Sequence, residues 1–335
     1  MKIAIVRLSA LGDLVHSMIG LQFIKAKYPD CQIDWLVESR YAELLADQPD
    51  IHQVLTIDIK ALKHDWRGFN QQLQRLKTYR QQQYDLVIDA QGLLKSAVCA
   101  RLLGTTVAGF NADSIRERAA AWLYQRKIAC PYDVNTIDRN AKVVSEPLGF
   151  SITPQQIHNK QAFLFYHTPD LELEPWLSAT QKNVLFVIGS TWPSRNYPAE
   201  HFVTVANQLK QNTLVLWGNE TEKASAEAMA KQSSFIRVLP KLDLNALKAL
   251  IASVDLVIGN DTGPTHMAWA MNIPSITLFG PTPVSRVYQT TINKVLKSPS
   301  EVNPFKLNKQ DFSIHQIKAE DVVKLAQGLL GQMTQ

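Results

Sequence analysis

Eight residues late in the chain, Gly259-Asn260-Asp261-Thr262-Gly263-Pro264-Thr265-His266, set an acid, two threonine hydroxyls and an imidazole in a glycine-flanked turn. They follow the apolar run Val254 to Ile258 and lead into Met267-Ala268-Trp269-Ala270-Met271, which reads as helix. Pro264 falls where the first turn of a helix tolerates proline. Backbone N–H groups at such a start, with the positive end of the helix dipole behind them, suit a phosphate. The same pattern also describes an ordinary strand-to-helix turn.

Three further stretches carry usable chemistry. Ser9-Ala10-Leu11-Gly12-Asp13 follows the first apolar run directly and opens a helix. Gly12 lets a backbone or ligand approach closely. Asp13 can accept a proton from a substrate hydroxyl, or simply cap the helix. Ser190-Thr191-Trp192-Pro193-Ser194-Arg195 follows the run 184–188 and ends on a guanidinium whose forked donors match phosphate oxygens, the alternative being a solvated loop arginine. Trp217-Gly218-Asn219-Glu220-Thr221-Glu222 offers an aromatic wall and acids that suit adenine and ribose; a core tryptophan beside helix N-terminal acids fits equally.

Basic residues gather in the first half: Lys60, Lys63, His64 and Arg67, then Lys95, Arg101, Arg116, Arg118 and Arg139. Such clusters are commonly solvated faces. Here Lys95 follows Asp89-Ala90-Gln91-Gly92, and Arg116 and Arg118 follow Asp113-Ser114, so a phosphorylated, acidic acceptor accounts for both loops.

The elements that must position these groups alternate along the whole chain. Short β-branched runs lie at 3–8, 33–37, 54–57, 85–90 and 106–110, and again at 184–188, 213–217, 236–239, 255–258 and 275–279. Helical patterns lie between them, as at 14–28, 69–80, 93–103 and 245–252. Unbroken apolar runs this short are expected of parallel strands buried on both faces, and the alternation predicts βαβ units. The pattern breaks over 151–182, where Pro154, Pro169 and Pro175 intervene, which predicts a domain junction there. The expected fold class is α/β: two Rossmann-like domains with parallel sheets facing across a cleft, ligands at the carboxyl ends of the strands. The amphipathic segment 319–330 is a last helix whose docking the sequence leaves open, the first domain included.

Composition narrows the function classes. The 335 residues suit two domains, and 46% hydrophobic with 19% charged residues describes a globular chain. A net charge of +5 fits an anionic substrate or membrane surface and is too weak to imply nucleic acid. Cys31, Cys99 and Cys130 share no metal-ligand spacing and read as reduced thiols. The first apolar run is too short for a signal peptide and meets Arg7 at once, and no run approaches the roughly 18 apolar residues of a membrane span, so a cytoplasmic protein is expected. No G-x-G-x-x-G follows the first strand, which argues against a dinucleotide-dependent oxidoreductase, and no P-loop or H-E-x-x-H occurs. No D-x-D stands after a strand to hold a metal beside a diphosphate. Charge on such a leaving group then falls to backbone amides, a helix dipole and cationic side chains.

Ser9-Ala10-Leu11-Gly12-Asp13, the block Ile88 to Ala97, Trp217-Gly218, Leu239-Pro240-Lys241 and Asp261 to His266 together resemble the lipopolysaccharide heptosyltransferases of glycosyltransferase family 9. The likeness is collinear over about residues 1–285 and closest to the branch that acts on Kdo rather than on an already heptosylated core. It implies a GT-B fold and inverting transfer of L-glycero-D-manno-heptose from ADP-heptose to Kdo of lipid A, without metal or cofactor. It also implies peripheral contact with the cytoplasmic face of the inner membrane. Residues 1–165 would bind acceptor and 166–335 donor. Asp13 falls on the family's proposed base. Ser190, Thr191, Arg195, Glu222, Leu242, Asp261, Thr262, Gly263 and His266 fall on donor contacts, with Trp217, Gly218, Pro264 and Thr265 beside them. Lys60, Lys63, His64 and Arg116 fall near the acceptor-phosphate region, and Ser9, Gly12, Gln91, Lys95 and Arg139 join that side. Arg195 stands where the family often has Lys, which exchanges a point charge for a rigid fork. Leu242 replaces a common Met, a mild packing change.

Overall fold

Short β-branched runs become strands only where both faces are covered, and parallel strands need crossovers that supply that cover. The computed structural model of the chain describes residues 1–59 and 66–332, without the side chains of Trp66 and Gln332. It divides into two units, Met1–Phe165 and Tyr166–Gln335.

In the first unit the strands are β1 (Lys2–Val6), β2 (Gln32–Glu38), β3 (Gln53–Ile57), β4 (Leu86–Asp89), β5 (Val107–Phe110) and β6 (Arg126–Ile128). Every pairing is parallel, in the order β3-β2-β1-β4-β5-β6. The helices are α1 (Leu11–Met18), α2 (Gly20–Lys27), α3 (Trp66–Arg80), α4 (Leu94–Leu103), α5 (Thr136–Ser145) and α6 (Pro154–His158). The helix expected over 14–28 is thus two, broken at Ile19. Gly20 opens the second against Val144 of α5, closer than a side chain could come.

The second unit repeats the plan. Its strands are β7 (Asn183–Val187), β8 (Asn212–Leu216), β9 (Ile236–Val238), β10 (Leu256–Asn260), β11 (Ser275–Phe279) and β12 (Asn293–Lys297), in the order β12-β11-β10-β7-β8-β9, again all parallel. Its helices are α7 (Ala199–Leu209), α8 (Glu220–Ala230), α9 (Leu244–Ser253), α10 (Gly263–Ala270) and α11 (Ala319–Gln332). The C-terminal α11 lies on α7, and its Val322, Ala326 and Leu329 join the core built on Phe186, Phe202 and Ile258. Each sheet therefore has one place where the winding reverses: between β1 and β4, and between β7 and β10. Loops leaving those strands at their carboxyl ends splay apart and leave a crevice that can take a ligand. Among the described residues no helix is long and apolar enough to cross a membrane.

Candidate active site

In the first unit the loops after β1 and β4 are laced together at this reversal. Arg7, just past β1 and buried, donates from Nη1 to the carbonyl of Ala90 and lies 3.5 Å from Asn140 Oδ1 on α5. Its Nη2 stands 3.3 Å from Asp13 Oδ1. The α1 N-cap is Ala10, with no side-chain cap bond, and Asp13 sits in the first turn. Its carboxylate faces a buried guanidinium while 28% of the side chain stays accessible, a placement suited to taking a proton from a bound hydroxyl. Arg7 escaped the sequence reading because an arginine at a strand end carries no motif.

The loop after β4 is fixed by a buried acid. Asp89 accepts from the Gln91 and Gly92 amides at 2.8 and 3.2 Å, from Ser96 Oγ at 2.9 Å and from the Tyr124 hydroxyl at 2.6 Å. Burial raises its pKa, and these four donors oppose that rise. Gly92 has φ +72, and a Cβ there would meet Ile115 at 2.6 Å, so only glycine makes this turn cheaply. Gln91 then reaches across: its Oε1 accepts the Leu8 amide at 2.8 Å, and its Nε2 lies 3.5 Å from Ser9 Oγ. Gly12 stands in the first turn of α1.

The basic residues assigned to the acceptor side separate by environment. Lys95 pairs with Glu38 at 3.6 Å. Arg116 is exposed and stacks on the Tyr132 ring at 5.1 Å. Arg139 is buried, and it donates to the carbonyls of Cys130, Pro131 and Ser114 and lies over Phe110. Its charge holds the 114–132 segment in shape; burial lowers its pKa. Lys60, Lys63 and His64 lie outside the described residues.

In the second unit the reversal between β7 and β10 gathers the residues assigned to the donor side. Gly259, which a Cβ would drive into Val187 at 2.6 Å, brings the strands close, and Asn260 then ties three segments. The Asn260 Nδ2 donates to the Ile188 carbonyl at 2.7 Å, its Oδ1 accepts the Tyr197 amide at 2.9 Å, and its carbonyl accepts Thr265 Oγ1 at 2.8 Å. The 190–197 loop is thereby locked to the 261–266 turn. Thr262 caps α10 with extended backbone and no side-chain cap bond, and Pro264 occupies the first turn.

Asp261 is the hub. Its Oδ2 lies 2.9 Å from Arg195 and 3.6 Å from Arg286, and its Oδ1 lies 2.9 Å from His266 Nε2. Burial alone would raise this carboxyl's pKa, but Arg286, the His266 hydrogen bond and Arg195 outweigh it and hold the acid well below the usual carboxylate range. Two guanidinium charges on one carboxylate leave the group net positive at a helix N-terminus, the electrostatics of an anion site. Both oxygens of Asp261 are turned onto basic side chains, so the acid orients the cluster. Arg286 was missed: it lies in the short 3-10 helix Val284–Arg286 after β11, far in sequence from the turn it joins.

The remaining donor-side residues frame this cluster. Ser190 Oγ lies 2.7 Å from Asn196 Oδ1, and Thr191 is exposed. Glu222 accepts the Gly218 amide at 2.7 Å, and Asn219 caps α8. A side chain at Gly189, which the sequence reading passed over, would collide with the Glu222 carboxylate, so this glycine admits Glu222 to the end of β7. Trp217 is buried, its indole N–H bound to the Leu239 carbonyl at 2.7 Å, and Lys223 lies over its ring. Leu242 is half-buried just before α9.

The sequence profile of glycosyltransferase family 9 (heptosyltransferase) matches residues 73–311. The chain belongs to this family. Lipopolysaccharide heptosyltransferase 1 of Campylobacter coli is 34% identical over 99% of both chains. Among solved structures, the E. coli heptosyltransferase WaaC with ADP-2-deoxy-2-fluoro heptose superposes with a TM-score of 0.79 at 22% identity, covering 98% of this chain and 99% of that one. The E. coli ADP-heptose lipopolysaccharide heptosyltransferase II superposes with a TM-score of 0.77 at 18% identity over the full length of both. Two doubly wound, all-parallel six-stranded sheets make this family member a GT-B protein, as the sequence led us to expect.

Proposed function

We propose that this family member transfers a heptosyl group from ADP-heptose to the Kdo sugar of the lipopolysaccharide inner core, with inversion and without a metal. In this reading residues 1–165 bind the acceptor and residues 166–335 the donor, at the cytoplasmic face of the inner membrane. The observation that carries it is the buried Asp261 holding Arg195, Arg286 and His266 at the start of α10, a cationic group matched to a diphosphate. The Campylobacter relative, similar from end to end, supplies the choice of heptose and of a core acceptor.

The acceptor hydroxyl oxygen attacks the anomeric carbon as the bond from that carbon to the β-phosphate oxygen breaks. Asp13 takes the hydroxyl proton, with Arg7 fixing the carboxylate's direction. Arg195, Arg286 and the α10 amides receive the charge that grows on departing ADP. Glu222 and Trp217 frame the nucleoside. The second reading keeps the same donor site and moves the acceptor one sugar outward, as in heptosyltransferase II, whose fold matches nearly as well.

Incubation of the purified protein with ADP-heptose and EDTA, in turn with Kdo-bearing lipid A and with monoheptosylated core, followed by mass analysis, tests the proposal. One heptose added to the first acceptor supports it. Transfer to the second acceptor alone establishes the alternative, and no transfer to either refutes both.

A further inference from the structure

Trp122 is 81% exposed, on the short 3-10 helix Arg118–Leu123 that packs against α4. On α4 itself Leu94 and Val98, one helical turn apart, are 46% and 44% exposed, and Arg101 continues that outer face. The two elements are joined at the start of α4, where Glu117 accepts the Leu94 amide at 2.6 Å. Soluble surfaces scatter single apolar residues, but here an indole and two aliphatic side chains stand exposed on two elements that pack together.

The charge around the patch has one dominant sign. Between residues 94 and 127 stand six basic residues, Lys95, Arg101, Arg116, Arg118, Arg126 and Lys127, against two acids, Asp113 and Glu117. That stretch carries most of the +5 of the whole chain. Arg118 pairs with Asp113 at 2.7 Å and Lys95 with Glu38 at 3.6 Å, and the stretch keeps a cationic excess beside them. An aromatic with short apolar side chains in a stretch rich in arginine and lysine has the composition of a bilayer interface: the indole settles at headgroup depth and the cations meet anionic phosphates. The position also counts. Leu94 comes two residues after the Gly92 turn that sends Gln91 to Ser9, so the patch begins where the acceptor-side loops end.

We propose that the face formed by Trp122, Leu94 and Val98 with its flanking arginines docks on an anionic lipid bilayer and sets the acceptor-side loops at the membrane surface. The benefit to catalysis rests on the lipid-linked acceptor proposed above; the docking itself does not.

Sedimentation with vesicles of phosphatidylglycerol and phosphatidylethanolamine, against vesicles of phosphatidylcholine alone, tests it. The chain should bind the anionic vesicles, less so in high salt. W122S should weaken binding about tenfold, and R118Q about fivefold. W122F should restore part of the loss, and circular dichroism should show W122S folded, as its exposed position implies. Heptosyl transfer to a deacylated, water-soluble acceptor should be the same in W122S and wild type, while KM for acceptor embedded in vesicles rises. Equal vesicle binding by W122S and wild type overturns the docking face, whatever the activity. So does a self-association, seen by analytical ultracentrifugation, that W122S abolishes while vesicles capture neither protein. Trp122-dependent vesicle binding without heptosyl transfer would uphold the docking and remove the enzymatic reading.

Discussion

Replacing Asp261 by Asn removes one negative charge and leaves its shape, so the consequence can be worked from geometry. The carboxylate is 2.9 Å from Arg195 and 3.6 Å from Arg286. At an effective dielectric of about 20 those contacts are each worth roughly 5 kcal/mol before desolvation is counted. Desolvation offsets much of this in the intact cluster, but in Asp261→Asn the two guanidinium groups stay behind and repel. Breaking a buried ion pair by removing one partner costs about 3–5 kcal/mol. For a unit of this size each kcal/mol moves Tm by about 2–4 °C, so scanning calorimetry should show the second unit melting about 6–20 °C lower. The pH dependence has a definite sign. The folded carboxyl is held below its ordinary range, so its contribution is complete above the unfolded value of about 3.9 and is lost as pH falls through the folded one. The Tm gap between wild type and variant should therefore stay level from pH 8 to about pH 5. An unchanged Tm at pH 7, or a gap that closes between pH 8 and pH 5, would refute the reasoning.

Asp13→Asn should lower kcat by about 10²–10⁴-fold with little change in KM for either substrate; near-normal turnover would end the base assignment. Arg195→Ala should cost about 2–4 kcal/mol in kcat/KM, and Arg286→Ala should raise KM for ADP-heptose; a calorimetric ADP affinity equal to wild type in both would place neither at the diphosphate. Gly189→Ala should push Glu222 from its place and weaken ADP binding while Tm falls little; unchanged affinity would detach Glu222 from the nucleoside. Burial pushes the Lys160 ammonium down to about 7, so the unfolded chain, with a value of about 10.4, binds that proton more tightly. Stability contributed at this residue then rises from pH 7 toward 10.4. Lys160→Met should raise Tm most at pH 7 and below and hardly at all near pH 10, and an equal effect at both ends would contradict the burial argument.

Ten of the twelve strands among the described residues were legible as apolar runs, because a strand covered on both faces must be apolar at consecutive positions. The two that were not, β6 and β12, are sheet edges reading Arg126-Lys127-Ile128 and Asn293-Lys294-Val295-Leu296-Lys297. Edge strands carry charge to prevent further pairing, and that erases the hydrophobic signal. The strand-end loops, the α10 turn and the residue types of the candidate site were likewise readable, since each rests on local backbone chemistry: glycine at a positive φ, proline in a first turn, acids at helix starts. Tertiary structure alone decided which groups act together. Arg7 reaches Asp13 across a turn, Arg286 joins Asp261 from the loop after the next strand, and Asn260 spends its side chain joining two loops. Arg139, assigned from sequence to the acceptor side, is buried and clamps carbonyls. A charge pattern in sequence gives sign and spacing along the chain. Whether a guanidinium faces solvent, a carbonyl or a carboxylate depends on what the sheet's winding brings beside it, and that distance is set in three dimensions.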